Sequence, residues 1–104
     1  MGPPRTGKPW KNRDGYLYVV VGKEDPRANA AGAIFQHRLV MSDRLGRPLR
    51  GDESVHHING QRDDNRLENL ELWTRSQPPG QRVEDKVAWA LEMLALYAPA
   101  RLAA

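Results

Sequence analysis

The chain contains no cysteine. That absence excludes a disulfide scaffold, a cysteine-ligated zinc site, an iron–sulfur cluster and a thiolate nucleophile. Long apolar runs are missing too. Hydrophobic residues fill 39% of the 104 positions, and no stretch reads as a bilayer span. Met1 to Arg13 is polar and basic, without the apolar segment that a secretory signal uses. These absences lead us to expect a cytoplasmic protein with no membrane partner. So modest a hydrophobic share implies a small core, of the kind made when one or two helices pack on a small sheet. The length fits one domain.

Charge is present and unevenly placed. Lys and Arg number 16 against 13 Asp and Glu, for a formal net charge of +3 and a pI near 9.6. A basic balance points to a polyanionic partner. Arg5, Lys8, Lys11 and Arg13 all precede the first acid, Asp14, and share their stretch with Gly2, Pro3, Pro4, Gly7 and Pro9. Proline lacks a donor and glycine resists ordering, so residues 1–15 read as a flexible basic arm. Such an arm adds salt-dependent contacts along a nucleic-acid duplex, or serves as a solubilising tail.

Local patterning gives a coarse map. Asp14-Gly15 signals a turn, and Tyr16 to Val21 is dense in aromatic and β-branched residues, as a strand is. Gly22 to Gly32 reads as a loop. Ala33 to Leu45 suits a short amphipathic helix stopped by Gly46. Ser54 to Ile58 reads as a short strand closed by Asn59-Gly60. Gln61 to Arg66 is a polar loop, and Leu67 to Thr74 alternates like a strand. Ser76 is a candidate helix cap, with Pro78 and Pro79 tolerable only in a first turn. Val83, Val87, Leu91 and Leu94 then recur at helical spacing, and the long final helix runs from about Gln81 to Ala98. The domain is expected over residues 16–98, with a tail at 99–104.

Two histidines, His56 and His57, are adjacent. Imidazole is both a metal ligand and a base suited to neutral pH. Neighbours on a strand point to opposite faces. Both rings serve one site only if the strand bends, and Asn59-Gly60 directly after makes a bend plausible. A pair of surface polar residues is the plainer reading of His-His alone.

The wider string is more informative. It runs His37-Arg38-Leu39-Val40-Met41, Leu45-Gly46-Arg47-Pro48-Leu49, Val55-His56-His57-Ile58-Asn59-Gly60, then Asp64-Asn65-Arg66-Leu67-Glu68-Asn69-Leu70-Glu71-Leu72. This resembles the HNH endonuclease family, in the short form common in bacteriophage genomes, from roughly His37 to Trp89. The resemblance implies an α+β fold built on the ββα-metal motif, with an N-terminal strand, a preceding short helix and a long C-terminal helix. It implies a metal-dependent DNA endonuclease or nickase, with one divalent ion: Mg, Mn, Zn or Ni. His57 falls at the general base, His56 at a metal ligand, and Asn69 at the residue that clamps the loop between the strands. An amide suits a clamp because it donates and accepts at once.

The chain departs from the family at the second ligand, where Pro78 stands and has no donor atom to offer. Gln81 is the favoured replacement, directly or through a water, with Asp85 the alternative. Arg38, Arg62, Arg66, Arg75 and Arg82 are the basic residues near the motif. Arg82, at the start of the final helix, is the one set to meet phosphate; Arg66 is expected to pair with a neighbouring acid. Arg5, Lys8, Lys11 and Arg13 complete the expected DNA contacts. His37 reads as a buried, hydrogen-bonded structural residue, or as one at the edge of the site. The resemblance further implies phage packaging or replication proteins as partners, a bacterial-host or phage setting, and a monomer or homodimer. The alternative is a catalytically weak or inactive HNH-fold DNA-binding module.

Overall fold

The computed structural model describes residues 6–102. The chain divides into two compact units, residues 1–74 and 75–104. That division cuts across the 16–98 span expected as one domain. The architecture is mixed α and β: a three-stranded antiparallel sheet, a two-stranded antiparallel sheet and two helices. Among the described residues no helix is long and apolar enough to cross a membrane.

The first difference from the sequence reading lies at the N-terminus. Thr6–Lys11, expected within a flexible arm, form strand β1. Two physical features offset the prolines and glycines. Pro9 is tolerable because β1 is the edge of the sheet, where a missing N–H costs little. The turn that follows is stapled by Asn12, whose Oδ1 accepts from the amides of Asp14 and Tyr16, each at 3.0 Å. Arg5 lies outside the described residues.

Strand β2 (Leu17–Val20) pairs with β1, Trp10 opposite Tyr18, and with β3 (Ala33–Phe35), Tyr18 opposite Phe35. Ala33 to Phe35 were expected in the helix. They become a strand because the loop before them is pinned. Gly22 and Val21 both donate to the Gly32 carbonyl, Asn29 Oδ1 accepts from the amides of Ala31 and Ala33, and Arg27 ties Asp25 to Asp43. Gly32 has φ +79°, and a Cβ there would sit 3.1 Å from the Lys23 amide nitrogen. Only glycine suits that corner.

Helix α1 (Gln36–Leu45) follows at once and ends at Gly46, which takes the left-handed conformation at φ 73°. The helix feeds two small cores. Leu39 packs with Val19, Val21 and Ile34, while Met41 packs with Val55 and Leu70. Each such side chain, fully buried, contributes roughly 1.5–3 kcal/mol. One helix thereby fixes the two sheets against each other within the first unit.

Strands β4 (Glu53–His57) and β5 (Leu70–Thr74) pair with Val55 opposite Leu72, His56 opposite Glu71 and His57 opposite Leu70. A single 3-10 turn, Leu67–Asn69, precedes β5 where strand was expected. The start of β4 is anchored by a buried ion pair. Glu53 accepts both guanidinium nitrogens of Arg47, at 2.8 and 2.9 Å, and the Arg50 amide at 2.7 Å.

The second unit holds helix α2 (Val83–Tyr97), flanked at its N-terminus by Arg82. Ser76, the expected cap, lies before the helix and its hydroxyl instead accepts from the Trp89 indole N–H at 3.0 Å. The prolines at 78 and 79 hold the chain extended there, so the helix starts beyond them. Val83, Val87 and Leu91 are exposed. Pro99–Leu102 form a second 3-10 turn, within the segment expected as a tail.

Candidate active site

The loop joining β4 to β5 is a polar web with one buried centre, the Asn69 side chain. Its Oδ1 accepts from the Asn59 amide at 3.1 Å, and its Nδ2 donates to Asn59 Oδ1 at 2.9 Å and to the Asp64 carbonyl at 2.8 Å. Asp64 in turn accepts from Asn59 Nδ2 and from the Arg66 guanidinium, which holds its carboxyl far below the ordinary carboxylate range. Gly60 turns the chain at φ 78°. Residues 58–66 are thus shaped by side chains that are themselves held, which is what rigidity in a loop requires.

The loop delivers Asn65 to His57. Asn65 Oδ1 stands 2.6 Å from His57 Nε2, and Asn65 Nδ2 donates to Gln36 Oε1 at 2.9 Å. The second bond orients the first. With its NH2 turned to Gln36, Asn65 presents an oxygen to the imidazole, so Nε2 carries the proton. Nδ1 is then the basic nitrogen of His57. An orienting partner on one ring nitrogen and a lone pair on the other is the arrangement a general base needs.

A second imidazole lies beside it. His37, on α1, is buried, with its ring centroid 5.0 Å from that of His57, and its Nδ1 has no hydrogen-bond partner. Burial, then the proximity of His57 and Arg38, lowers its pKa to about 4, so it stays neutral. It is buried, as the structural reading expected, but its Nδ1 lacks the hydrogen bond that reading also expected. Its position is at the edge of the His57 site.

Tyr16 completes the surround, 5.3 Å from His37 and 6.2 Å from His57 between ring centroids. Arg62 lies over the Tyr16 ring at 5.1 Å and donates to the Asp14 carbonyl at 2.7 Å. Tyr16, Val55, His56, His57, Gly60 and Arg62 line an open cavity of about 440 Å³. A basic nitrogen and a guanidinium therefore border one hollow.

His56 borders the same hollow, but its ring is set differently from that of His57. The β4–β5 register is regular here, so adjacent side chains alternate in direction along the strand. His56 is exposed, stacked on Trp73 at 3.9 Å, with Nε2 3.3 Å from Ser54 Oγ. The two histidines thus differ in direction while both border the one cavity. Across the ladder from His56 stands Glu71, an oxygen donor on the same face. One imidazole and one carboxylate fit a largely hydrated divalent cation. Among the described residues no group of three or more His, Cys, Asp or Glu gathers to hold a metal ion.

The other expected contacts are dispersed. Lys8 and Arg13 are exposed, and Lys11 is paired with Asp63 at 3.0 Å. Arg66 pairs with Asp64. Gln81 is exposed and belongs to the second unit, as does Arg82, which pairs with Glu84 at 2.7 Å and Asp85 at 3.1 Å. Asn65, Gln36 and Tyr16 were not singled out from the sequence. Asn65 stood inside the quoted Asp64-Asn65-Arg66 string, but spacing does not reveal which side chain of a polar loop turns inward.

Residues 35–78 match the family model described as HNH endonuclease, which supports the family resemblance read from the sequence. The match encloses α1, β4, the loop and β5, and so takes in His37, His56, His57, Asn65 and Asn69. It points to a nuclease acting on nucleic acid. No curated protein and no solved structure matches the chain.

Proposed function

We propose that the protein is a metal-dependent DNA endonuclease or nickase in which His57 is the general base. The observation that carries this is the Asn65–His57 hydrogen bond at 2.6 Å, because it leaves Nδ1 as a lone-pair nitrogen beside a cavity that Arg62 also lines. In the reaction, water oxygen attacks the phosphorus, His57 Nδ1 takes a water proton, and the bond to the departing 3′-oxygen breaks. That oxygen takes its proton from solvent. Arg62 offers the phosphate a guanidinium whose fork matches its oxygens. Asn69 acts at one remove, by holding the loop that carries Asn65.

His56 is the candidate ligand for one divalent ion (Mg, Mn, Zn or Ni), with Glu71 as the oxygen donor across the strand pair; Gln81 and Asp85 are the candidates outside the first unit. Such an ion, when bound, supplies charge neutralisation at the phosphate and a stronger pull on the leaving oxygen. The reading extends to the ββα-metal motif for β4, β5 and α2, and to nicking or genome processing beside phage packaging or replication proteins, by a monomer or homodimer in the host cytoplasm. Further non-specific contacts fall to Arg5, Lys8, Lys11, Arg13 and Arg82.

Plasmid nicking with each metal tests the chemistry. His57→Ala should lose about a hundredfold or more in rate, the usual share of a positioned base, while His56→Ala should weaken metal dependence and leave the fold intact. A second reading, a DNA-binding module without chemistry, is favoured by Pro78, which offers no ligand where the family resemblance expects one. It prevails if wild type shifts DNA but cuts none under any metal.

A further inference from the structure

The three-stranded sheet has two unlike faces. One carries Val19 and Ile34 into the core with Leu39. The other carries three rings in cross-strand register. Trp10 stands opposite Tyr18, and Tyr18 opposite Phe35. Their rings stack, Trp10 on Tyr18 at 5.4 Å and 19°, and Tyr18 on Phe35 at 4.2 Å and 23°. The run does not stop at the sheet. Phe35 meets Tyr16 at 5.4 Å and His37 at 5.3 Å, and His37 meets His57 at 5.0 Å. A continuous series of rings leads from the sheet edge to the proposed base.

The concentration is high for this chain. It has one Phe, three Tyr and three Trp, and the row takes Phe35, Tyr16, Tyr18 and Trp10. Cross-strand aromatic pairs stabilise a sheet, yet Trp10 at the edge end of the row keeps 45% of its surface exposed. Cations flank the row. Arg38 lines a hollow of about 250 Å³ together with Tyr18 and Phe35. Arg62 covers Tyr16 at the other end, and Lys8 is exposed on the same strand as Trp10. Stacking surfaces bordered by guanidinium and ammonium groups suit a strand whose bases are unpaired and whose phosphates run alongside. Base pairs within a duplex stack on each other and leave no face for such rings.

We propose that Trp10, Tyr18 and Phe35 form a stacking platform for unpaired bases of single-stranded or locally opened DNA, and that the row leads that strand toward His57. This rests on the nuclease reading for its choice of polymer and deepens it by naming the strand state of the substrate. The test is binding, measured with EDTA present so that cutting does not enter. Labelled oligo(dT) and a duplex of equal length are titrated by fluorescence anisotropy. Wild type should bind oligo(dT) more tightly. Trp10→Leu, which keeps apolar bulk but no ring, should lose roughly tenfold on oligo(dT) and little on duplex, whereas Trp10→Phe should retain affinity. An oligonucleotide carrying 5-iododeoxyuridine should photocrosslink the unaltered protein at Trp10, Tyr18 or Phe35. That arm decides the matter if Trp10→Leu fails to fold. Equal or weaker binding of oligo(dT), an unchanged Trp10→Leu, or adducts confined to other residues would overturn the platform. Plasmid cutting that depends on His57 would survive that outcome, and platform binding would survive the absence of cutting, so the two readings fail separately.

Discussion

Acid should loosen this protein through His37 before it reaches the carboxylates. The ring is buried on α1 against Tyr16 and His57, with Arg38 adjacent in sequence, and burial foremost lowers its pKa from 6.5 to about 4. In the unfolded chain the same ring titrates near its ordinary value. Between pH 4 and 6.5 the unfolded state therefore holds more protons than the folded one, and stability rises with pH through that window. The contribution is complete above 6.5 and gone below about 4. At ~1.36 kcal/mol per unit, the displacement from 6.5 to about 4 amounts to roughly 3 kcal/mol, a large share of the ~5–15 kcal/mol a domain has. Asp63 and Asp64 act in a different range. Lys11 and Arg66 hold their folded pKa values below 3.8, so their contributions are present above that pH and fade beneath it. The assay is urea unfolding of wild type and His37→Phe at closely spaced pH values from 7 to 4, followed by far-ultraviolet circular dichroism. Wild type should lose roughly 3 kcal/mol more than the variant across the window. Parallel stability curves for the two proteins would refute the reasoning, because a ring that titrates alike in both states contributes no slope.

Other perturbations follow from the same geometry. Glu53→Gln should destabilise by about 3–5 kcal/mol in thermal or urea unfolding, because it leaves Arg47 facing a neutral amide in place of a buried carboxylate; a change within error would mean that the pair is solvated in solution. Asn69→Ala should speed hydrogen exchange at the Asn59 amide and cost about 1–3 kcal/mol, the penalty for buried groups left without partners. It should also slow cutting, since the loop that carries Asn65 loses its support. Gly32→Ala should cost about 1–3 kcal/mol, measured as a fall in melting temperature, since a positive φ and a 3.1 Å approach to Lys23 both oppose a methyl group.

The elements that sequence made legible are those whose signals are local. Gly46 ends α1 in the left-handed conformation that glycine adopts without strain, and Asn59-Gly60 turns the chain after β4. Val19, Leu39 and Val55 are buried, as strand and helix periodicity ask of them. The misreadings share a cause, which is competition from contacts distant in sequence. Ala33 to Phe35 have helical neighbours, yet they pair with β2 because the pinned loop before them returns the chain to that strand. Thr6–Lys11 carry the composition of a tail, but an open sheet edge and the Asn12 staple recruit them.

The site shows the same division more sharply. His57 and Asn69 were legible as candidates because a motif string names them by position, and a string can do so where the loop between them has fixed length. His56 was visible as a residue but not as a direction, since alternation and a bend make opposite statements about adjacent side chains and only coordinates decide between them. Gln36 and His37 open α1, Tyr16 precedes β2 and Asn65 lies in the β4–β5 loop, and nothing in the spacing of these three segments says that they meet. What joins them is the placement of α1 between the two small cores, with Leu39 in one and Met41 in the other. That double anchoring sets the first turn of the helix, with Gln36 and His37, against the end of β4. Weakening either anchor should therefore disturb the proposed base as well as the fold. A cavity mutation such as Leu39→Ala, costing about 2–5 kcal/mol, should reduce cutting even at temperatures where the protein remains folded; full activity in a folded Leu39→Ala protein would show that the His57–Asn65–Gln36 chain holds itself without the helix beneath it.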